Sequence, residues 1–240
     1  MSGEPRGAES SLAKIAVALD TADWQEFVDW CAFFGPRVGT LKIGLEAFLR
    51  WGSRAVEEAL GSTESIFLDL KLHDIPNTVA GAVRSVRALG VRYLTVHAGG
   101  GPAMLEAAVA ESEGEIELLA VTLLTHLDVA ALEALDLPGS AEERVSRWGA
   151  LAAACGVPGA VCSPREVTQL RAERPRPFRL VTPGIRLATD AANDQRRVAT
   201  PDRALEDGAD LLVVGRPLTR AADREAALAA FAEAIERAMG

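Results

Sequence analysis

The sequence has few cysteines and no long apolar run. Its three cysteines, Cys31, Cys155 and Cys162, are widely spaced and include no C-x-x-C pair. This pattern predicts neither a disulfide framework nor a zinc site, so we interpret the cysteines as buried thiols. No apolar run approaches the roughly 20 residues that span a bilayer. Residues 1–11 also lack the basic start and apolar stretch of a signal peptide. We therefore expect a cytoplasmic protein without a membrane partner.

An excess of basic residues is also missing. The 34 acidic residues outnumber the 25 basic ones and give a net charge of −9. Nucleic acids and anionic membranes are bound through basic patches that neutralise phosphates, so we expect neither as the main partner. An anionic small molecule remains a possible ligand, because a few local cations can overcome a weak overall field.

The chain does contain a repeating pattern of short apolar runs and longer amphipathic segments. Eight such runs occur, at residues 14–20, 40–45, 65–72, 93–98, 117–125, 159–163, 179–184 and 210–216. Strands of continuous apolar character, each followed by a helix, indicate a parallel sheet covered by helices. Eight such units predict a single α/β domain, a (β/α)8 TIM barrel over residues 13–240 with a flexible tail at 1–12. A doubly wound open sheet is the alternative, but no G-x-G-x-x-G motif follows the first run.

Several segments between the runs have the spacing of helices. The clearest is the last, where one apolar stripe is formed at spacings of three or four by Leu228, Phe231, Ile235 and Met239. We interpret residues 126–141 as a longer surface connection.

One of the predicted strands carries ionisable side chains. In the stretch FLDLKLHDIPNT, residues 67–78, side chains alternate between two faces of a strand. Leucines 68, 70 and 72 lie on one face, and the opposite face carries Asp69, Lys71 and His73. Polar residues also stand at the ends of nearly all the other predicted strands, and the full set is Asp20, Lys42, Asp69, Lys71, His97, Thr125, Arg186 and Arg216. The carboxyl ends of barrel strands meet at one rim, which is where barrel enzymes place their active sites. The pattern therefore predicts an active site at this rim.

Lysine is rare, and its positions are informative. Of the 25 basic residues only Lys14, Lys42 and Lys71 are lysines, and the last two lie on the predicted rim. An ammonium group can give up a proton at accessible pH, whereas a guanidinium effectively cannot. This usage favours proton-transfer chemistry. The alternative is that Asp69 and Lys71 form only a structural ion pair inside the barrel.

These residues also carry a resemblance to a known family. The motifs, in order between about residues 14 and 237, are ALD (18–20), LKIG (41–44), D-x-K-x-x-D-IPNT (69–78), TVHA (95–98), VTLLT (121–125), TPGIR (182–186), Gln195 followed by RRVATP, and VVGRP (213–217). The sequence resembles the orotidine 5′-phosphate decarboxylase family. D-x-K-x-x-D alone is shared with related sugar-phosphate decarboxylases and synthases, but in combination with IPNT, TPGIR and VVGRP it is highly specific.

The resemblance implies a fold and an activity. It implies a (β/α)8 barrel that works as a homodimer and converts orotidine 5′-phosphate to UMP and carbon dioxide, the last step of de novo UMP biosynthesis. The reaction in this family needs no metal and no organic cofactor.

Catalytic roles follow from the same resemblance. Lys71 would protonate C6 of the pyrimidine and stabilise the carbanion that forms as carbon dioxide leaves. Asp69 would hold Lys71 and lie beside the substrate carboxylate, and Lys42 and Asp74 would complete an array of alternating charges. Asp74 and Thr78 would reach into the partner subunit's site. A simple helix start, capped by Asp74 or a neighbour, is the alternative for this segment.

Further residues are implied to bind the substrate. Asp20 would bind ribose hydroxyls, although an N-cap of the following helix is the alternative, and Thr125 would bind the pyrimidine. The phosphate would lie near strands seven and eight, where Arg216 can contact two of its oxygens. Gln195 lies on the polar loop 187–198, which would close over the site as a lid. The other implied contacts are Ile75, Pro183, Arg186 and Gly215.

Other interpretations stay open at this stage. A magnesium-dependent sugar-phosphate decarboxylase relative would share the D-x-K-x-x-D strand, and a non-catalytic nucleotide-binding protein could use the same barrel. No cluster of His, Cys and carboxylate residues has the spacing of metal ligands, so we predict no metal site. His97 would at most line the site, and the sequence suggests no role for His73 or His126.

Overall fold

The protein is a closed barrel of eight parallel strands in chain order. A computed structural model describes residues 11–188 and 198–239. The strands are β1 Ile15–Ala18, β2 Thr40–Gly44, β3 Ile66–Leu72, β4 Tyr93–His97, β5 Glu117–Val121, β6 Gly159–Val161, β7 Arg179–Thr182 and β8 Leu211–Val214. The last strand pairs with the first, which closes the barrel. Each predicted apolar run contains one strand, and the prediction of a single-domain (β/α)8 barrel is confirmed.

Helices connect and surround the strands. Two short 3-10 helices occupy Ser11–Lys14 and Ala98–Gly100. The α-helices of the described chain are α1 Trp24–Phe34, α2 Leu45–Trp51, α3 Ser53–Leu60, α4 Pro76–Arg87, α5 Gly101–Ser112, α6 Val129–Ala134, α7 Ala141–Ala154, α8 Val167–Glu173, α9 Pro201–Glu206, α10 Arg216–Thr219 and α11 Arg224–Met239. None of the helices within residues 11–188 and 198–239 is long and apolar enough to cross a membrane.

Two apolar cores lie on either side of the strands. The core inside the barrel is formed by Ala16, Phe67, Tyr93, Leu119, Val181 and Leu211. The larger core between strands and helices includes Leu68, with Leu70 and Leu72 packed against it. The alternating faces predicted for residues 67–72 are therefore correct: the leucines face the helices, and Phe67 faces the barrel interior. The inner core fills the lower part of the barrel, and a cavity opens above it toward the carboxyl ends of the strands.

The connection between β5 and β6 differs from the sequence interpretation. Residues 126–141 contain the short helix α6, which Asp128 caps by accepting a hydrogen bond from the Ala131 N–H at 3.1 Å. The next helix begins at Ala141 behind a capping box formed by Ser140 and Glu143. The segment is mostly exposed, as expected of a surface connection, but a helix of six residues is too short to show a periodic apolar stripe, so α6 was not predicted.

The burial of three predicted features differs in part from the sequence interpretation: the cysteines, the stripe of the last helix and the tail. Cys31 and Cys162 are buried as predicted, whereas Cys155 is only partly buried at the end of α7. In the apolar stripe of α11 the first three members are buried, but Met239 is 48% exposed near the chain end. Ser11, which we assigned to the tail, is buried and donates a hydrogen bond to Glu236 at 3.2 Å. Leu12 packs against the core, and residues 1–10 of the predicted tail lie outside the described residues.

Candidate active site

A cavity of about 500 Å³ opens at the carboxyl ends of the strands. This is the size range of small-molecule sites. The predicted site residues that line it are Asp20, Lys42, Asp69, Lys71, Thr125, Pro183, Arg186, Gly215 and Arg216. They come from most of the strand ends. Closure of the barrel therefore brings together residues as far apart in the chain as Asp20 and Arg216.

A row of alternating charges crosses one side of the cavity. Asp69 lies at its centre, with its Oδ1 accepting a hydrogen bond from Lys71 Nζ at 2.8 Å and its Oδ2 accepting one from Lys42 Nζ at 3.2 Å. Lys42 Nζ also lies 3.8 Å from Asp20 Oδ1. Two carboxylates and two ammonium groups therefore neutralise one another, which makes their partial burial tolerable.

The buried members of this row are held in their charged forms. Burial alone would raise the pKa of Asp69, but the charges of Lys42 and Lys71 and the hydrogen bonds that Asp69 accepts lower it to about 2. Burial alone would lower the pKa of Lys42, but the charges of Asp69 and Asp20 outweigh this effect and raise it above its usual value. Both residues therefore stay ionised at neutral pH.

Lys71 has an unusual backbone conformation. Its φ is 51°, in the left-handed region that residues with a Cβ rarely adopt. The pairing of β3 with β4 also shifts register between Leu68 and Leu72. The strand therefore bulges where it presents its two catalytic candidates, and period-2 alternation alone did not predict this.

Thr95 and Gly44 shape the charged row but were not among the predicted contacts. The Thr95 hydroxyl accepts a hydrogen bond from the Lys71 backbone N–H at 2.8 Å and donates one to Asp69 Oδ1 at 2.9 Å. At Gly44, an added Cβ would lie only 2.6 Å from Asp20 Oδ1, so the missing side chain leaves the space that Asp20 occupies. Both residues lie in motifs that carried the resemblance, TVHA and LKIG, and their place in those motifs was the only signal that could have identified them.

Asp20 follows β1 but does not cap the next helix. The N-cap of α1 is Asp23, whose carboxylate accepts a hydrogen bond from the Glu26 N–H at 2.9 Å. The capping alternative for Asp20 was therefore wrong. Its side chain is 56% exposed and faces the cavity mouth beside Lys42.

Another part of the cavity wall is built by the ends of β7 and β8. After β7, Gly184 has a φ of 83°, a conformation that favours glycine, and the chain then places the buried Arg186 in the cavity wall. After β8, Gly215 precedes α10, whose first residue is Arg216. Three guanidinium groups, those of Arg186, Arg216 and Arg220, thus line the same cavity as the charged row. Gln195 and most of the predicted lid, residues 189–197, lie outside the described residues.

Comparison with known proteins identifies the family of this chain. A model of the "Orotidine 5'-phosphate decarboxylase / HUMPS family" matches residues 13–231. The chain belongs to this family. The resemblance noted in the sequence motifs is thereby confirmed.

Individual relatives match nearly the whole chain. Orotidine 5′-phosphate decarboxylase of Thermobifida fusca is 52% identical over 94% of this chain and 97% of its own. The enzyme of the same name from Frankia casuarinae is 46% identical over 98% of this chain and 90% of its own. Among solved structures, orotidine 5′-phosphate decarboxylase from Lactobacillus acidophilus is 33% identical with a TM-score of 0.81, covering 92% of this chain and 98% of its own.

The family's D-x-K-x-x-D-IPNT motif leaves the cavity after Lys71. Asp74, Ile75 and Thr78 are exposed and do not line the cavity of their own chain. Helix α4 begins at Pro76 with Ile75 as an N-cap that makes no side-chain hydrogen bond. Among the described residues, Asp74 accepts a hydrogen bond from the adjacent Ile75 N–H at 2.6 Å and from no N–H of the helix. The helix start that was the alternative for this segment is therefore present, with the neighbour Ile75 rather than Asp74 at the N-cap.

The histidines of the two family motifs HDIPNT and TVHA stack on each other. The ring centroids of His73 and His97 are 4.9 Å apart and the rings are inclined by 11°. The Trp148 ring packs edge-on against His97, with 5.7 Å between the centroids. His97 Nδ1 accepts a hydrogen bond from the Gly99 N–H at 3.1 Å. Burial, together with the charges of His73 and Lys71, lowers the pKa of His97 to about 4. Neither histidine lines the cavity.

Proposed function

We propose that this protein converts orotidine 5′-phosphate to UMP and carbon dioxide, the last step of de novo pyrimidine biosynthesis. The observation that carries the proposal is the alternating row of Lys42, Asp69 and Lys71 in the barrel cavity of a chain that is 52% identical to a decarboxylase of that name. The cavity offers negative, positive and apolar surface, as a nucleotide with a phosphate, a ribose and a carboxylated base requires.

Lys71 is the proposed proton donor. When the C6 carboxylate leaves as carbon dioxide, C6 keeps the electron pair of the broken bond, and the ammonium of Lys71 stabilises this charge and then transfers a proton to C6. Asp69, bonded to Lys71 Nζ at 2.8 Å, fixes the direction in which the ammonium points. Because the ammonium is already oriented before the reaction, it need not reorganise as charge develops.

Asp69 has a second proposed effect. Its carboxylate is ionised and lies beside the position proposed for the substrate carboxylate. Two like charges about 4 Å apart at an effective dielectric near 20 repel by roughly 4 kcal/mol. Departure of carbon dioxide relieves this repulsion. We give it less weight than stabilisation of the carbanion, because the second acts on the transition state directly.

The remaining cavity residues bind the substrate in this proposal. Arg216 and Arg186 contact the phosphate, and Gln195 joins them from the lid. Asp20 and Lys42 bind ribose hydroxyls. Thr125 and Pro183 contact the base, and the backbone at Gly215 also contacts the substrate. Phosphate binding far from C6 contributes energy that closes the lid and orients the base.

A homodimer completes the site in this proposal. Asp74, Ile75 and Thr78 are exposed in the single chain, and Ile75 is 66% exposed although it is apolar. Two further exposed leucines, Leu45 and Leu49, lie on α2, which follows the neighbouring strand. An isologous contact across these residues would cover this apolar surface and carry Asp74 and Thr78 to the partner subunit's site.

Mixing two inactive variants tests the shared site. A Lys71→Ala chain and an Asp74→Ala chain are refolded together. In a hybrid dimer, the site that keeps Lys71 would receive Asp74 from the other chain and would work. Random pairing should then restore roughly a quarter of wild-type activity, since half of the dimers are hybrids with one good site each. No recovery in verified hybrids would contradict the contribution of Asp74 to the partner.

The reaction itself is tested by following the loss of orotidine 5′-phosphate absorbance in excess EDTA. We expect conversion to UMP at the same rate with and without EDTA. Activity that appears only with magnesium and a sugar phosphate would favour the metal-dependent relatives that share the D-x-K-x-x-D strand. Tight UMP binding without turnover would favour a binding protein. Among residues 11–188 and 198–239, no group of three or more metal-binding side chains is arranged around a common point. A cytoplasmic location stays a prediction from the sequence.

A further inference from the structure

The bulge in β3 departs from regular strand pairing. Leu68 pairs with Leu94 and Leu72 pairs with Val96, so residues 69–71 of β3 stand opposite Thr95 alone. Two residues of β3 thus have no counterpart on β4. Lys71, with its φ of 51°, lies within this stretch. Such a conformation persists only where the surroundings hold it in place.

The Thr95 side chain supplies a contact that holds it. Its hydroxyl accepts the hydrogen bond of the Lys71 backbone N–H at 2.8 Å, which replaces an acceptor of the regular ladder. The same hydroxyl donates to Asp69 Oδ1 at 2.9 Å. A hydroxyl has one donor and two acceptor positions, so both bonds exist together. Thr95 is completely buried, and water cannot replace either bond.

These two bonds act on both ends of Lys71. The first fixes its backbone, and the second fixes the carboxylate oxygen that also accepts from Lys71 Nζ at 2.8 Å. Lys42 Nζ holds the other oxygen of that carboxylate at 3.2 Å. Asp69 can therefore not rotate without breaking a bond on either side. Thr95 does not line the cavity, so it touches no substrate.

We propose that Thr95 is a positioning residue, whose hydroxyl sets the reactive geometry of Lys71 by holding its left-handed backbone and its carboxylate partner at once. This inference rests on the proposed function. A displacement of about 1 Å in a reacting group can reduce a rate by roughly 100-fold, so the effect should appear in kcat and much less in binding.

Three variants of Thr95 separate a positioning role from a structural one. Thr95→Val keeps the branched shape and removes the hydroxyl, and Thr95→Ala is a second variant without it. Thr95→Ser keeps the hydroxyl. We expect the valine and alanine variants to lose roughly 10- to 100-fold in kcat, with the dissociation constant of UMP changed less than about threefold. The serine variant should keep kcat within about threefold of the wild type.

Thr40→Val is the matched control. Thr40 is also a buried strand threonine, and its hydroxyl shares a hydrogen bond with Ser65 Oγ at 3.0 Å at the start of β2, the end of the barrel away from the cavity. The same substitution there should lower the melting temperature and leave kcat unchanged.

A pH profile of kcat adds an independent readout. In Thr95→Val, Asp69 loses a hydrogen bond that favours its charged form, so the acidic limb of kcat should move to higher pH.

The outcomes distinguish this inference from the proposed function. A wild-type protein that does not decarboxylate orotidine 5′-phosphate would overturn both. An active wild type with a normal kcat in folded Thr95→Val would overturn only the role of Thr95. Failure of both the valine and alanine variants to fold would overturn it as well, because the hydroxyl would then be a requirement of the fold.

Discussion

Replacement of Lys71 by alanine tests the central step of the proposed reaction. An ammonium about 4 Å from a developing unit charge, at an effective dielectric near 20, contributes about 4 kcal/mol, and this is roughly three powers of ten in rate. Loss of a positioned proton donor adds about two to four powers of ten. We therefore expect Lys71→Ala to reduce kcat by roughly 10⁵- to 10⁷-fold.

The structure predicts that this variant still folds and binds product. Asp69 keeps its contacts to Lys42 at 3.2 Å and to Thr95 at 2.9 Å when the Lys71 side chain is removed. The arginines that line the cavity are unchanged. The dissociation constant of UMP, measured by calorimetry, should therefore stay within roughly tenfold of the wild-type value.

The assay follows the decarboxylation rate, with Lys14→Ala as the control. Lys14 is the only other lysine of the chain apart from Lys42, and it lies in the 3-10 helix before β1, outside the cavity. Its replacement should leave kcat unchanged. A Lys71→Ala protein within tenfold of the wild-type kcat would refute the assignment of Lys71 as proton donor.

Further predictions concern phosphate binding, the ribose side and pH. Arg216→Ala should mainly raise KM through lost phosphate contacts, and a near-normal KM would place the phosphate elsewhere. Gly44→Ala puts a Cβ 2.6 Å from Asp20 Oδ1 and should raise KM by displacing Asp20. Gly81→Ala is the control, because an added Cβ there meets nothing within 4 Å. Equal KM values in the two variants would contradict the role of Gly44. The folded-state pKa of His97, about 4, lies below its ordinary value near 6.5, so the folded state binds fewer protons and stability should fall as pH drops from 6.5 toward 4. His97→Asn keeps an acceptor for the Gly99 N–H and should flatten this part of the melting-temperature profile, and an unchanged slope would show that other groups cause it.

Comparison of the sequence prediction with the structure shows which information is local. The eight strands were predictable because apolar runs and helical stripes repeat over short distances. The faces of β3 were predictable for the same reason, since side chains alternate along any strand. Helix α6 was missed because six residues are too few for a stripe to emerge.

The motifs extended the prediction from the fold to the site. Asp20, Lys42, Asp69, Lys71, Arg186 and Arg216 were each identified from their places in the sequence, and all of them line the described cavity. Composition contributed too, because the scarcity of lysine drew attention to two positions of the rim. None of this indicated a distance between any two of these side chains.

The sequence by itself therefore determined the barrel and the identities of most residues around its cavity. Only the tertiary structure decided that Lys71 adopts a left-handed conformation, that Thr95 holds it, and that Gly44 leaves space for Asp20 beside Lys42. The physical reason is that these features depend on the register between neighbouring strands. Periodicity along one strand fixes which face a side chain takes, but the register is set only when the strands pair and the barrel closes.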